Sequence, residues 1–278
     1  MPADESLCPS LEPTPGAAAT SARIAEALRL ADQGLYAQAH GVVGAVSLRA
    51  LEGPQGRELA ARIAFHRGDP REARRLDAVA FREAPRNATS CARYVRSLAG
   101  TAGVVAALAR ARRLPEVRGS GEELAELRAT EASLHASVRD FARARALLEE
   151  ARRLGGGGAV HGAEVALLLA EDNVDEAHDL ACRRREGVWY ERVALVRVLL
   201  RRGSLDEAAA LASELACSVE VPGLHELAAV LSEGIGAYDR AESHLDHVER
   251  LTPLAAAAPR AALVAYRETL AARRKGST

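Results

Sequence analysis

Seven alanines each stand five residues after a turn-like position: Ala39, Ala73, Ala107, Ala144, Ala177, Ala208 and Ala241, at intervals of 34, 34, 37, 33, 31 and 33 residues. A period held in this range along most of a chain marks a helical solenoid. Each helix pair can cover its apolar face only by stacking on its neighbours, so the same packing position must recur in every unit. The expected fold is all-α, a right-handed α-solenoid of about seven helix-turn-helix repeats closed by a C-terminal capping helix.

The residue supply agrees with that period. Apolar residues make up 48% of the 278 positions but aromatics only 3%, so the core must be built from Ala, Leu and Val. Such a core suits closely approaching helices and lacks the β-branched and aromatic bias of strands. The 37 basic and 38 acidic residues interleave to a formal charge of −1, which leaves no field to gather a polyanion, and nucleic acid is not an expected partner. The only lysine is Lys275, so the remaining cations are planar arginines suited to bidentate carboxylate recognition.

Cys8, Cys91, Cys182 and Cys217 are too far apart for a metal or redox CxxC motif, and three of them fall in expected helices, where they read as small buried hydrophobes. The N-terminal stretch carries acids where a secretory leader needs positive charge. No stretch approaches the ~18 apolar residues of a membrane span. A soluble, reducing, cytoplasmic setting without a membrane or cofactor is expected.

Residues 1–20, with four prolines and no helical periodicity, read as a flexible tail. The array follows over 21–256, and a capping helix with a short tail over 257–278. The first pair is expected to turn at Gly34 and run on to about Leu51. The second turns at Gly68-Asp69-Pro70, the third at a loosened Gly100–Gly103, and an inserted loop from Pro115 to Gly121 explains the interval of 37. Four glycines at 155–158 mark a candidate hinge between the fourth and fifth units. No Gly-Lys-Ser/Thr follows them, so the residues that a nucleotide loop needs are missing.

The turns Gly34-Leu35-Tyr36-Ala37-Gln38-Ala39, Gly68 to Ala73 (GDPREA), Gly203 to Ala208 (GSLDEA) and Gly236 to Ala241 (GAYDRA) resemble the Gly-Asp-Tyr-x-x-Ala junction of the tetratricopeptide repeat (TPR) family. Pro85 and Pro253 stand twelve residues after their register alanines, as in that family. Ala27, Ala61, Ala132 and Ala229 stand twelve before, where its first helix packs closely. The likeness covers about residues 21 to 256. The third repeat lacks a clear turn consensus, and Val95, Val165 and Val196 replace the small residue, so the repeats are divergent. The stretch Glu186 to Arg192 (EGVWYER) also looks like arrays fused to papain-like peptidase domains in some bacteria, although no such domain follows.

The resemblance implies that first helices line a concave face that binds an extended peptide or a partner helix. Carried over position by position, it places Glu58, Arg62, Phe65, His66 and Arg96 on that face, with Tyr190, Val193, Arg197, Leu200 and Arg201 further along. Ala129, Ser133, Ala136, Gly162 and Ala166 between them give a roomy middle. The residues expected to bind a partner are Arg62, Phe65, His66, Arg96, Tyr190, Arg197 and Arg201. Arginines would pair with carboxylates of an acidic or C-terminal peptide, and Tyr190 and Phe65 would give flat apolar contact. Each arginine alone reads more readily as a solvated charge with an i,i+4 acid, as in Glu58 and Arg62; the binding reading rests on the set. The lysines of a chaperone-type carboxylate clamp are absent.

Catalytic constellations fail one by one. His225-Glu226 lacks the second histidine of a zinc-protease helix, because Ala229 stands four residues on. His244 and His247 have a metal-compatible spacing, but the expected reading is two exposed side chains. Gly119-Ser120-Gly121 is an incomplete nucleophile elbow with no preceding strand. The expected role is a non-catalytic protein-interaction scaffold, and the alternative is the sensing or anchoring arm of a pathway whose catalytic or DNA-binding domain lies on another chain. Weak self-association through the end faces stays open.

Overall fold

The computed structural model describes residues 15–44, 48, 51–253 and 257–276. Among them the chain forms fifteen helices: α1 (Pro15–Asp32), α2 (Tyr36–Val43), α3 (Gly53–His66), α4 (Pro70–Glu83), α5 (Ala88–Ala102), α6 (Val104–Ala111), α7 (Gly121–Ser137), α8 (Phe141–Arg153), α9 (Gly158–Ala170), α10 (Val174–Cys182), α11 (Trp189–Arg202), α12 (Leu205–Ser218), α13 (Pro222–Gly234), α14 (Tyr238–Leu251) and α15 (Ala257–Gly276). The first fourteen form seven consecutive hairpins, as the period requires, and α15 packs on α14.

The position five before each register alanine sets the turn. Gly34, Gly68, Gly203 and Gly236 hold φ of 80°, 82°, 79° and 75° there, and the third pair shifts the same conformation by one residue to Gly103 at 92°. This left-handed region suits a residue without a Cβ. Arg139 (φ 62°) and Asp172 (φ 65°) occupy the equivalent places in the fourth and fifth pairs, so the fold demands this geometry even of residues that resist it.

The register alanines are buried to between 0% and 2% exposure, and the residues twelve before them, Ala27, Ala61, Val95, Ala132, Val165, Val196 and Ala229, to 0% or 1%. The two series face each other across each hairpin, and α5, α7, α9 and α11 then pack in series as an inner layer.

Three expectations about element ends are corrected. Helix α1 begins at Pro15, inside the segment read as a tail, whose residues 1–14, Cys8 included, lie outside the described residues. Helix α2 stops at Val43 and caps on Gly44 (φ 73°), so it does not continue towards Leu51. Helix α5 runs straight through Gly100 to Ala102, and its turn reduces to Gly103. The loop from Pro115 to Gly121 is pinned by Arg118 N–H to Arg86 C=O (2.6 Å) and Ala88 N–H to Arg118 C=O (3.0 Å).

The array also closes on itself. One apolar core joins Ala27, Tyr36, Leu59 and Ile63 of the first two pairs to Leu195, Leu215 and Val219 of the sixth. The loop after α12 supplies the contact. Glu220 N–H donates to Gly34 C=O (2.9 Å), and the Glu220 carboxylate accepts from Ala37 N–H (2.9 Å), Gln38 N–H (3.0 Å) and the Gln38 side chain (3.2 Å). These amides are the second and third of α2, which an N-cap side chain ordinarily satisfies, and the residue at that cap is Leu35, which cannot accept. A Cβ at Gly34 would stand 2.7 Å from Val219 Cγ1 and 3.2 Å from Trp189 Nε1, so only glycine permits this approach.

Candidate functional site

First helices place their solvent-facing residues on the inner side of the curve. There α5, α7, α9 and α11 enclose an open cleft of about 540 Å³. Its floor is small because Ala129, Ser133, Gly162 and Ala166 present little side chain, and its walls are Arg96 on α5 and Trp189, Tyr190, Val193 and Arg197 on α11. Ser133 and Ser137 turn their hydroxyls back to the carbonyls four residues earlier, which leaves the floor with little polar character.

Arg96, Tyr190 and Arg197 therefore come together at one cleft. Arg96 is 54% exposed at its side chain and donates to Glu126 (2.9 Å) and Thr130 Oγ1 (2.9 Å). Arg197 is exposed, and no described carboxylate pairs with it. Tyr190 is half exposed, and burial together with the nearby Glu191 carboxylate pushes its phenol above the ordinary value, so it stays a hydrogen-bond donor at neutral pH. Its ring is held by the backbone of Gly158, where a Cβ would meet Tyr190 Cε2 at 2.7 Å.

The other four expected residues stand elsewhere. Arg62 is 18% exposed at its side chain and held by Asp32 (2.8 Å) and Glu58 (3.6 Å). His66 stacks on Tyr36 with ring centroids 4.0 Å apart and meets Trp189 edge-on at 5.9 Å; burial, then the charges of Arg62 and Arg93, lower its pKa to about 3. His66 belongs to the closure between the first two pairs and the sixth, whereas Arg62 is tied up between the first and second pairs. Phe65 is 58% exposed, outside the cleft lining, and Arg201 pairs with Asp172 (2.9 Å) across to the turn before α10. Ala136 is buried at 4% and does not reach the floor. Sequence reasoning missed Trp189 and Thr130 in the lining. Trp189 was visible beside Tyr190, but nothing local shows that both of two adjacent aromatics reach one cleft.

The histidines form a cluster that their spacing only half revealed. His244 is 5% exposed, so the expectation of two exposed side chains fails for it. His225 Nδ1 lies 3.1 Å from His244 Nδ1, His244 Nε2 lies 3.1 Å from Ser213 Oγ, and His247 stacks on His225 at 4.7 Å. Burial, then His247 and His244, lower His225 to about 4. Among the described residues no three potential ligands gather around a metal position.

Cys91 is buried, its thiol pushed up to about 11 mainly by that burial, whereas Cys182 is half-buried with Sγ 3.6 Å from His178 Nε2, and Cys217 is exposed, against the expectation of burial. A second cleft, of about 370 Å³ between α6, α7 and α8, contains His135, whose Nδ1 lies 2.9 Å from Asp140. Among the described residues no helix is long and apolar enough to cross a membrane.

No protein-family model matches the sequence, and no curated protein matches it. Two solved structures show a loose likeness. A tetratricopeptide repeat protein from Parabacteroides merdae is 13% identical over 85% of this chain and 94% of that one, with a TM-score of 0.49. The APC/C hetero-tetramer Cut9-Hcn1 is 10% identical over 87% of this chain and 48% of that one, also with a TM-score of 0.49. The solenoid itself is defined by the seven hairpins and their buried register.

Proposed function

We propose that the chain is a protein-interaction scaffold without catalytic activity, and that it takes an acidic or C-terminal peptide segment in the cleft over α5, α7, α9 and α11. The observation that carries this reading is Arg197, an exposed guanidinium at the cleft wall with no described carboxylate partner, facing the inner layer beside the Tyr190 ring. A guanidinium in this position offers a fork of donors to a carboxylate, and the small floor leaves room for an extended backbone. Arg96 supplies a second cation whose ion pair with Glu126 is exposed enough to exchange for a ligand carboxylate.

The test begins with an affinity pull-down from the native cell extract, comparing wild type with an Arg96→Glu/Arg197→Glu chain of unchanged helicity. Synthetic peptides from the recovered partner, as free acid and as amide, are then titrated against wild type and Arg197→Glu. The expected result is a loss of roughly tenfold or more in affinity for the variant, about 1.4 kcal/mol or more. Equal binding by both chains would remove the cleft from consideration.

A further inference from the structure

We infer that the closure between the first and sixth pairs is a gate on the cleft: a seam latched by Glu220 that opens to admit the occupant. The inference rests on the cleft reading above for what the gate admits, and on the seam alone for the gate itself.

Three independent observations carry it. The seam differs in kind from the junctions between consecutive pairs. Those are made by helices packed along one another, whereas no helix of the first pair packs extensively on α11, α12 or α13. Apolar side chains meet across the seam, but the hydrogen bonds that cross it come from the loop Val219–Val221, with Glu220 as a cap borrowed across 183 residues of sequence. One carboxylate therefore carries the charge-assisted bonds of the closure. The seam is also incompletely satisfied. Trp189 Nε1 is buried against Gly34 with no described acceptor, although a buried indole N–H usually finds one, so the closed state carries a standing penalty that opening relieves. Finally, seam and cleft share a side chain: the Trp189 ring meets His66 edge-on at the seam and lines the cleft beside Tyr190. A ligand that presses on this ring presses on the closure, and an open closure uncovers the ring.

Trp189 is the single tryptophan of the chain, so its fluorescence reads the seam without any ligand. In Glu220→Ala, with far-UV circular dichroism unchanged, the emission moves to the red and acrylamide quenching rises at least twofold. In wild type, amide exchange over residues 34–40 and 219–224 is faster, by tenfold or more, than in the centre of α7. Glu220→Gln keeps the acceptor oxygen but not the charge and gives a smaller change in the same direction. It replaces the alanine variant if that variant loses helicity. Unchanged emission and quenching in the variant, or exchange across the seam as slow as in α7, would overturn the gate. Failure of the cleft reading shows separately, as equal peptide binding by wild type and Arg197→Glu with the fluorescence response intact.

Discussion

Arg139 carries a side chain into a left-handed turn that the fold imposes at the same position in four other hairpins through glycine. Its compensation is a guanidinium 5.7 Å from the Phe141 ring, a weak contact at an exposed site. Arg139→Gly is therefore expected to stabilise the chain by about 1 kcal/mol, seen as a higher urea midpoint at unchanged slope. The buried histidines act in the opposite sense. His66 and His225 have folded-state values of about 3 and about 4, below the ordinary 6.5, so the folded chain keeps them neutral while the unfolded chain takes up protons as pH falls. Above pH 6.5 they contribute no pH dependence. Between 6.5 and 4 stability falls, by up to roughly 1.4 kcal/mol per pH unit for each of them. Urea midpoints at pH 7.5, 6 and 5 should show this fall, and His225→Phe should flatten it. At this scale the sequence was highly legible for the two alanine-rich series, because steric pressure at a repeated contact leaves the same mark each time. It was opaque for His225, whose partner His244 lies on the next helix and can be found only by folding the hairpin.

Helix ends were less legible than helix faces. Where the stop signal is a residue type with its own geometry, the boundary was read correctly: Gly68, Asp69 and Pro70 close α3 and open α4, and the Asp69 carboxylate accepts from Glu72 N–H at 2.9 Å. Asp69→Ala should accordingly cost about 1 kcal/mol, measured by thermal or urea unfolding. Where glycine is merely present, the reading failed. Gly100 sits inside α5 because the helix is already held by the burial of Val95, Cys91 and Ala92, which outweighs its weak propensity. The expected end of the tail at residue 20 failed for a related reason, since proline at the first position of a helix opens it as readily as proline elsewhere ends it, and Pro15 does the former. Helix α15 met its expectation of packing on the last pair, burying Leu263 and Leu270 against Leu245 and Val248 and placing the Tyr266 hydroxyl 2.6 Å from Glu233.

For the molecule as a whole, the period showed that residues at one register share a face, and the tetratricopeptide resemblance implied which face lines the groove; Arg96, Tyr190 and Arg197 come to one cleft there. The closure could not be read this way. Glu220 carries no local sign that it caps a helix in the first hairpin, and the loss of His66 to that closure is invisible without the fold. Closure also fixes an order of events in synthesis. The seam joins residues 34–38 to residues 219–221, so a chain emerging from the ribosome must complete six hairpins before its first helices meet their distant cover. Through that interval the apolar surface around Tyr36 and Ile63 lacks the part of its cover that the sixth pair supplies. A solenoid whose units contact only their neighbours settles as it is made. This one keeps its earliest residues waiting for nearly its latest, a long-range contact that slows folding and lengthens the period of vulnerability to aggregation.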